Sequence, residues 1–175
     1  MKLTSIKNVA LSALLTIGAF TAVTYTACNK DECKDVTCLN GGTCSGGNCT
    51  CPSGYEGSRC ENKVNAKFVG TWTATETCGG PAGTPYQVTI TADPSSPTTI
   101  LINNLGAYGC TVGGTVTLNG LVNGANLTIN DNKCGYQVNA TGSFNSNGSI
   151  TISYTAVYDD NGTPTTDNCT ATLTK

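Results

Sequence analysis

Cysteine usage constrains this chain more than any other feature of its sequence. Eleven Cys occur in 175 residues, and six of them fall between Cys33 and Cys60. Such a density in a short chain is typical of proteins that fold in an oxidising compartment and are held together by disulfides. The sequence therefore predicts a secreted or surface protein built on a disulfide framework.

Composition excludes several classes of function. The chain contains no His, so it lacks the residue that usually serves as general base beside a Ser or Cys nucleophile. Charged residues make up 11% of the chain and the formal net charge is -2, whereas nucleic-acid binding needs clustered Lys and Arg. We therefore predict no nucleic-acid partner, no catalytic residues, no metal site and no cofactor.

The first 27 residues have the anatomy of a signal peptide. Lys2 and Lys7 form a basic start, an uncharged and mostly apolar run covers residues 9–23, and small residues follow it. The alternative is a retained membrane helix, which fits less well because spanning requires about 20 apolar residues. We predict a signal peptide over residues 1–27.

Cys28 directly follows this segment and is the candidate lipidation site. Residues 25–28 resemble the processing motif of bacterial lipoproteins, which implies a diacylglyceryl group on Cys28 and a lipid anchor in the membrane. The cysteine count agrees, because removing Cys28 from eleven leaves ten, which can form five pairs. The membrane, reached through Cys28, is therefore a predicted partner.

Residues 28–32 are expected to form the lipidated Cys and an acidic tether. They resemble the surface-export signal of certain gram-negative lipoproteins, in which acidic residues follow the lipidated Cys. The resemblance implies a lipid-anchored protein of the cell outer membrane that is exposed at the surface. The alternative for these residues is a solvated charged tether without an export role, and the sequence does not decide which leaflet carries the anchor.

Six cysteines in residues 33–61 follow the spacing C-x4-C-x5-C-x4-C-x-C-x8-C, and by themselves they allow many pairings. A segment of about 30 residues buries too little apolar area to fold unaided, so cross-links must replace the missing core. The spacing and the glycine motifs at residues 40–44 and 54–60 resemble the EGF-like domain over residues 29–62. This resemblance implies the pairs Cys33–Cys44, Cys38–Cys49 and Cys51–Cys60.

After a linker at residues 62–66, the segment 67–175 alternates apolar residues with Thr. Trp72 and Ala74 share one face of the first strand while Thr73 lies on the other, which is the pattern of an antiparallel sheet with one buried face. Turn residues rich in Asn and Gly separate eight such strands. The predicted strands span residues 67–78, 85–92, 98–104, 110–122, 126–130, 135–144, 149–158 and 168–174.

Eight consecutive hairpin-linked strands predict a mainly β fold in which an antiparallel up-and-down barrel follows the disulfide-rich module. A two-sheet β-sandwich is the alternative, since it produces the same strand spacing. If the first and last strands pair to close a barrel, Cys78 lies opposite Cys169 on the apolar face. Cys110–Cys134 follows by elimination, and it fits the hairpin of strands four and five if that hairpin turns near Val122.

The first barrel strand contains Gly70-Thr71-Trp72, which resembles the Gly-x-Trp motif of lipocalin-like barrels. The chain as a whole resembles bacterial outer-membrane surface lipoproteins in which an EGF-like domain precedes a small lipocalin-like barrel. The structural role expected for Trp72 is to plug one end of the barrel, because a lone Trp on an apolar face usually belongs to the core.

Three functions are consistent with this layout. The first is a non-catalytic binding or adhesion module on the cell surface, whose partner is an unknown protein or glycan. The second is a carrier that holds a small apolar ligand inside the barrel, as eight-stranded barrels can do. The third, an enzyme, is the least expected because the chain has no His. Glu76 nevertheless falls on the predicted inward face of its strand, where a buried carboxylate could act as an acid. An open interior would favour the carrier, and a filled interior would leave the surface as the binding site.

Overall fold

The computed structural model describes residues 32–175. The predicted signal peptide and the lipidation site Cys28 lie outside these residues. The described part is mainly β, with a disulfide-rich N-terminal region followed by a closed eight-stranded antiparallel barrel. The predicted fold class is confirmed, and the strands form one barrel and not the alternative sandwich. Within residues 32–175, no helix is long and apolar enough to cross a membrane.

The N-terminal region consists of two small hairpins. Strand β1 (Thr43–Ser45) pairs with β2 (Asn48–Thr50), and β3 (Tyr55–Glu56) pairs with β4 (Asn62–Lys63). Three disulfides cross-link this region, namely Cys33–Cys44, Cys38–Cys49 and Cys51–Cys60. These are the pairs that the EGF-like resemblance implies, and they stand in for the apolar core that so short a segment lacks.

Every barrel strand pairs with the next strand along the chain, and the last strand pairs with the first. Apolar residues alternate with Thr, Asn or Ser along each strand, so one face packs inward while the other meets water. A one-turn 3-10 helix at Ala66–Phe68 leads into the first of these strands. The barrel strands are β5 (Gly70–Thr77), β6 (Tyr86–Ala92), β7 (Thr99–Asn103), β8 (Thr117–Asn123), β9 (Asn126–Lys133), β10 (Tyr136–Phe144), β11 (Ile150–Asp160) and β12 (Thr163–Thr174).

The barrel closes between β5 and β12 in the register expected from the sequence. Leu173 lies opposite Ala74 and Thr170 lies opposite Thr77, so the next pair along the strands is Cys169 and Cys78. A disulfide joins these two residues, with their Cα atoms 4.1 Å apart. The bond therefore staples the first barrel strand to the last.

The prediction for the fourth barrel strand was wrong at its beginning. A strand was expected from residue 110, but β8 begins at Thr117, and a loop with a 3-10 turn at Leu105–Ala107 precedes it. Gly113 and Gly114 have φ angles of +89° and +88°, which a strand does not accommodate. The last strand differs as well, since β12 begins at Thr163 and not at residue 168.

Cys110 and Cys134 are bonded, but not across the hairpin that the sequence suggested. The β8–β9 hairpin turns after Asn123, which pairs with Asn126, so a turn near Val122 is wrong. The bond instead links the loop before β8 to the tight turn between β9 and β10, where Cys134 has a φ of +55°. It therefore ties two loops together at one end of the barrel.

The N-terminal region packs directly against the barrel through the segment that was expected to be a linker. Val64 and Asn65 are 5% and 1% exposed. The Asn65 backbone N–H donates to the Pro97 carbonyl, and its side-chain Nδ2 donates to the carbonyls of Ser96 and Thr99. These bonds fasten residues 62–66 to the loop between β6 and β7, at the end of the barrel that we call the proximal end.

Candidate functional site

Apolar side chains fill the interior of the barrel. Residues from all eight strands contribute to one buried cluster, in which most side chains are less than 2% exposed. At the proximal end Trp72 is buried, and its ring and that of Phe68 make edge-on contacts with Phe144. The Trp72 indole N–H donates to the Phe68 carbonyl at 2.8 Å.

The opposite end, which we call the distal end, is formed by residues 78–85, 104–116, 134–135 and 161–162. Three tyrosine rings, one from the loop before β8 and one each from β10 and β11, pack against one another there with centroids 4.6–5.9 Å apart. They are Tyr108, Tyr136 and Tyr158. The hydroxyls of Tyr108 and Tyr158 donate to the same carboxylate oxygen of Asp167, at 3.0 and 3.2 Å.

Glu76 also lies at the distal end, near the end of β5. Its carboxylate accepts hydrogen bonds from the hydroxyls of Tyr86 and Tyr154, and the Gly106 N–H donates to the Tyr86 oxygen at 2.9 Å. Burial is the main cause that raises the pKa of both tyrosines, and the negative charge of Glu76 raises it further. These phenols therefore stay protonated and hold the carboxylate in place.

This arrangement forms a structural plug at the distal end. A cavity of about 330 Å³ lies beside Glu76, Cys78 and Tyr86. Glu76 lies within 4.8 Å of the sulfurs of Cys78 and Cys169, but the disulfide between those cysteines removes the thiolates that a metal would require. The carboxylate accepts two phenol hydrogen bonds, and neither phenol is an activated nucleophile.

A larger cavity, of about 650 Å³, lies on the outer surface of the barrel. It is lined by residues of strands β9 to β12 and of the end of β5, and these include the buried-face residues Ile129, Ala140, Tyr154 and Cys169 between the outward-facing ones. We call it the polar groove. The side chains that line it from the outer face are Thr77, Asn130, Asn139, Thr141, Ser153, Thr155, Asn168 and Thr170. It spans the middle of strands β9 to β12 and extends to Thr77 and Gly79 toward the distal end.

The polar groove is uncharged and holds unpaired amides. Its lining includes no Asp, Glu, Lys or Arg. Within residues 32–175 the side chains of Asn130 and Asn139 have no hydrogen-bond partner, and Asn168 uses only its Oδ1, which accepts from Thr155 at 2.9 Å. These amides are exposed, so their donors and acceptors are available to a ligand.

Some polar side chains elsewhere on the barrel pair with one another. Asn119 donates to Asp131 at 2.8 Å from both its backbone and its side chain, and Asn103 donates to Thr117 at 2.8 Å. The Asp131 carboxyl is partly desolvated, which raises its pKa, but the hydrogen bonds from Asn119 outweigh this and the pKa is lowered. Within the described part of the chain, free exposed amides also occur outside the groove, at Asn123, Asn126 and Asn132, so the distinguishing feature of the polar groove is that its amides line one depression.

The predicted site residues occupy different parts of the molecule. Gly70 has a φ of +143° at the start of β5, where an added side chain would meet Lys175, and Lys175 also lies over the Trp72 ring at 4.3 Å. Gly70 and Trp72 therefore belong to the proximal end. Cys78–Cys169 and Cys110–Cys134 brace the distal half of the barrel. Cys28 lies outside the described residues.

Sequence reasoning missed the polar groove. A signal for it was present, because the outward-facing positions along β9 to β12 are almost all Asn, Thr, Ser or Gln. The same alternation was used only to find the buried face of each strand. What the pattern does not contain is the curvature that brings four strands together around a depression.

No known protein family matches this chain. No curated protein is similar to it in sequence.

Proposed function

We propose that this protein is a lipid-anchored lipoprotein of the outer-membrane surface that acts as a non-catalytic binding or adhesion module. Cys28 carries the lipid anchor, an EGF-like domain acts as the spacer, and a lipocalin-like barrel is the binding domain. The disulfide count supports the anchor, because all ten Cys after Cys28 are paired. Cys28 is then the one Cys left over for lipidation.

The observation that carries the binding function is the polar groove on the outside of a filled barrel. Exposed amides without protein partners can exchange their hydrogen bonds to water for hydrogen bonds to a ligand, and no bond within the protein has to break. The N-terminal region docks at the proximal end, so the chain leads to its anchor on that side of the barrel. None of the residues that line the polar groove belongs to the N-terminal region, so this docking leaves the groove open.

Carriage of a small apolar ligand is the second candidate, and the packed interior does not favour it. Ile90, Ile102 and Ile152 are fully buried within the barrel, together with the other inward-facing side chains. A ligand could enter only by displacing side chains from a well-packed core, which is costly. An enzymatic role is favoured still less, because Glu76 is committed to two tyrosine hydroxyls.

The anchor is tested with Cys28→Ser in a gram-negative host that carries the full chain. The wild type should incorporate labelled fatty acid, fractionate with the outer membrane and be digested when intact cells are treated with protease. Cys28→Ser should incorporate no label and leave the membrane fraction. A Ser variant that stays in the membrane contradicts the lipid anchor, and protection of the wild type in intact cells contradicts surface exposure.

The binding function is tested by adhesion of the same cells to beads coated with a neutral glucan, with gelatin or with phosphatidylcholine. Cells with the wild type should adhere to at least one coating. The triple variant Asn130→Ala, Asn139→Ala, Asn168→Ala should lose that adhesion. A matched control is Asn123→Ala, Asn126→Ala, Asn132→Ala, which removes three exposed amides outside the groove lining. No adhesion to any coating, or equal adhesion by both triple variants, would contradict the proposal.

A further inference from the structure

We infer that the polar groove binds an uncharged glycan chain that lies across strands β9 to β12. This inference rests on the proposed binding function and names the chemical class of the ligand. The structure offers three constraints on that class: the charge of the groove, the state of its amides and the geometry of the strands that line it.

The absence of charge in the groove disfavours a charged ligand. A carboxylate, sulfate or ammonium group that entered the groove would lose hydration, and the lining offers no opposite charge to replace it. The ion pair that the described residues contain, between Lys67 and Glu56, lies where the N-terminal region meets the barrel and not in the groove. A neutral ligand incurs no such electrostatic cost.

The free amides disfavour an apolar ligand. Covering Asn130 and Asn139 with an apolar surface would remove their amides from water without replacing the hydrogen bonds, which is unfavourable. A ligand rich in hydroxyls avoids this cost, because each hydroxyl both donates and accepts, as the Asn amide does. The chemistry of the lining therefore calls for a neutral ligand with many hydroxyl groups.

The strand register arranges the side chains that line the groove in two parallel rows. Asn130 lies opposite Asn139, Asn139 opposite Thr155, and Thr155 opposite Asn168, so four polar side chains follow one line across the strands. A second line, two residues along each strand, contains Thr141, Ser153, Thr170 and Thr77. Neighbouring side chains in a row are separated by the strand spacing of about 4.8 Å.

This geometry favours an extended chain of sugars over an extended peptide. One common mode by which β proteins bind an extended peptide is addition of a strand to a free sheet edge, and the closed barrel has no such edge. On the face of the sheet, a ligand meets only side chains. A glycan presents hydroxyls along its whole length, so it can contact all four strands, which span about 14 Å.

The inference is tested by calorimetric titration of the full mature lipoprotein in detergent. The probes are neutral oligosaccharides of two to seven sugars (maltose series, cellulose series, mannan series), an acidic oligogalacturonate and a neutral Ser/Gly peptide of similar length. We expect binding to at least one neutral series, with affinity that rises with chain length until the ligand spans the groove. The oligogalacturonate and the peptide should bind at least tenfold more weakly.

The triple groove variant should lower the affinity for the neutral oligosaccharide at least tenfold, while the control triple variant should leave it unchanged. Groove-dependent binding of the peptide or the acidic glycan, without binding of neutral glycans, would overturn the ligand class and leave the proposed binding function standing. Neutral-glycan binding that both triple variants retain equally would overturn the assignment to this groove. No binding of any probe would overturn the inference.

Discussion

Two carboxylates at the distal end of the barrel, Glu76 and Asp167, show how this molecule accommodates negative charge without basic partners. Glu76 accepts from Tyr86 and Tyr154, and Asp167 accepts from Tyr108 and Tyr158. A phenol is a neutral donor, so each carboxylate is stabilised by two hydrogen bonds and not by an ion pair. The alternation in the sequence places Glu76 on the same face of its strand as Trp72. Its hydrogen-bond partners, however, come from strands β6 and β11, which only the closed barrel brings together.

At the scale of single residues, we predict that stability falls steeply in alkaline solution. Burial raises the pKa of Tyr86, Tyr108 and Tyr154 above the ordinary value of about 10. The unfolded chain therefore loses these protons at lower pH than the folded protein does. Because the unfolded state then binds fewer protons, the free energy of unfolding decreases as pH rises above about 10.

This dependence is measured by urea unfolding at a series of pH values above 9, with phenolate absorbance recorded in parallel. The matched variant is Tyr154→Phe, which removes one titrating group but keeps the ring in the core. Its free energy of unfolding should fall less steeply with pH than that of the wild type. Identical slopes for the two proteins would show that the Tyr154 proton is not linked to folding.

At the scale of the strands, close approach depends on glycines that face the interior. A Cβ added at Gly142 in β10 would lie 2.7 Å from the Thr151 carbonyl oxygen, and 3.2 Å from the Ile152 side chain. A Cβ added at Gly120 in β8 would lie 2.8 Å from a terminal methyl of Leu127, which can rotate away. A side chain at Gly142 would therefore force the backbone of the neighbouring strand to move, whereas one at Gly120 would displace only a side chain.

We predict that Gly142→Ala destabilises the barrel by about 1–3 kcal/mol, because strands β10 and β11 must separate to admit the methyl group. Gly120→Ala should cost less. Gly83→Ala serves as the control, since its nearest neighbour would be 3.7 Å away and its backbone is not left-handed. The measurement is the midpoint of chemical denaturation for all three variants. A larger effect of Gly120→Ala than of Gly142→Ala would contradict this account of the packing.

At the scale of the whole molecule, the N-terminal region and the barrel meet in a specific interface. Gly54 lies against the loop between β6 and β7, where a Cβ would be 2.6 Å from the Pro97 ring. Lys67 and Glu56 form an ion pair of 2.7 Å across the same junction. Together with the bonds of Asn65, these contacts give the barrel a defined orientation on its spacer.

We predict that Gly54→Ala loosens this interface while Gly57→Ala does not. Both glycines have positive φ angles, +91° and +101°, so both substitutions strain the backbone. Only Gly54 faces the barrel, whereas a Cβ at Gly57 would meet the Glu61 carboxylate within the N-terminal region. Comparing the two variants therefore separates the effect of backbone strain, which both share, from the loss of contact with the barrel, which only Gly54→Ala causes.

The readout is hydrogen exchange of the backbone N–H of Asn65, which donates to the Pro97 carbonyl across the interface. Exchange at this amide should be at least tenfold faster in Gly54→Ala than in the wild type, and close to wild type in Gly57→Ala. Equal acceleration in both variants would mean that the fold of the N-terminal region, and not its contact with the barrel, controls the exchange.

The amino-acid sequence by itself determined the features that depend on local periodicity. Alternation of Trp72 and Ala74 with Thr defined a strand with one buried face, and repetition of that pattern eight times predicted a barrel. The closing register followed as well, because only one alignment places Ala74 opposite Leu173 and Cys78 opposite Cys169 with apolar residues facing each other.

The tertiary structure alone decided how distant segments meet. Cys110 left the predicted strand because Gly113 and Gly114 turn the chain before β8, and its bond to Cys134 joins two loops. The tyrosine partners of Glu76 likewise come from strands far apart in sequence, β6 and β11. Period-two alternation specifies which face a residue occupies, but the curvature and closure of the barrel determine which residues on that face become neighbours.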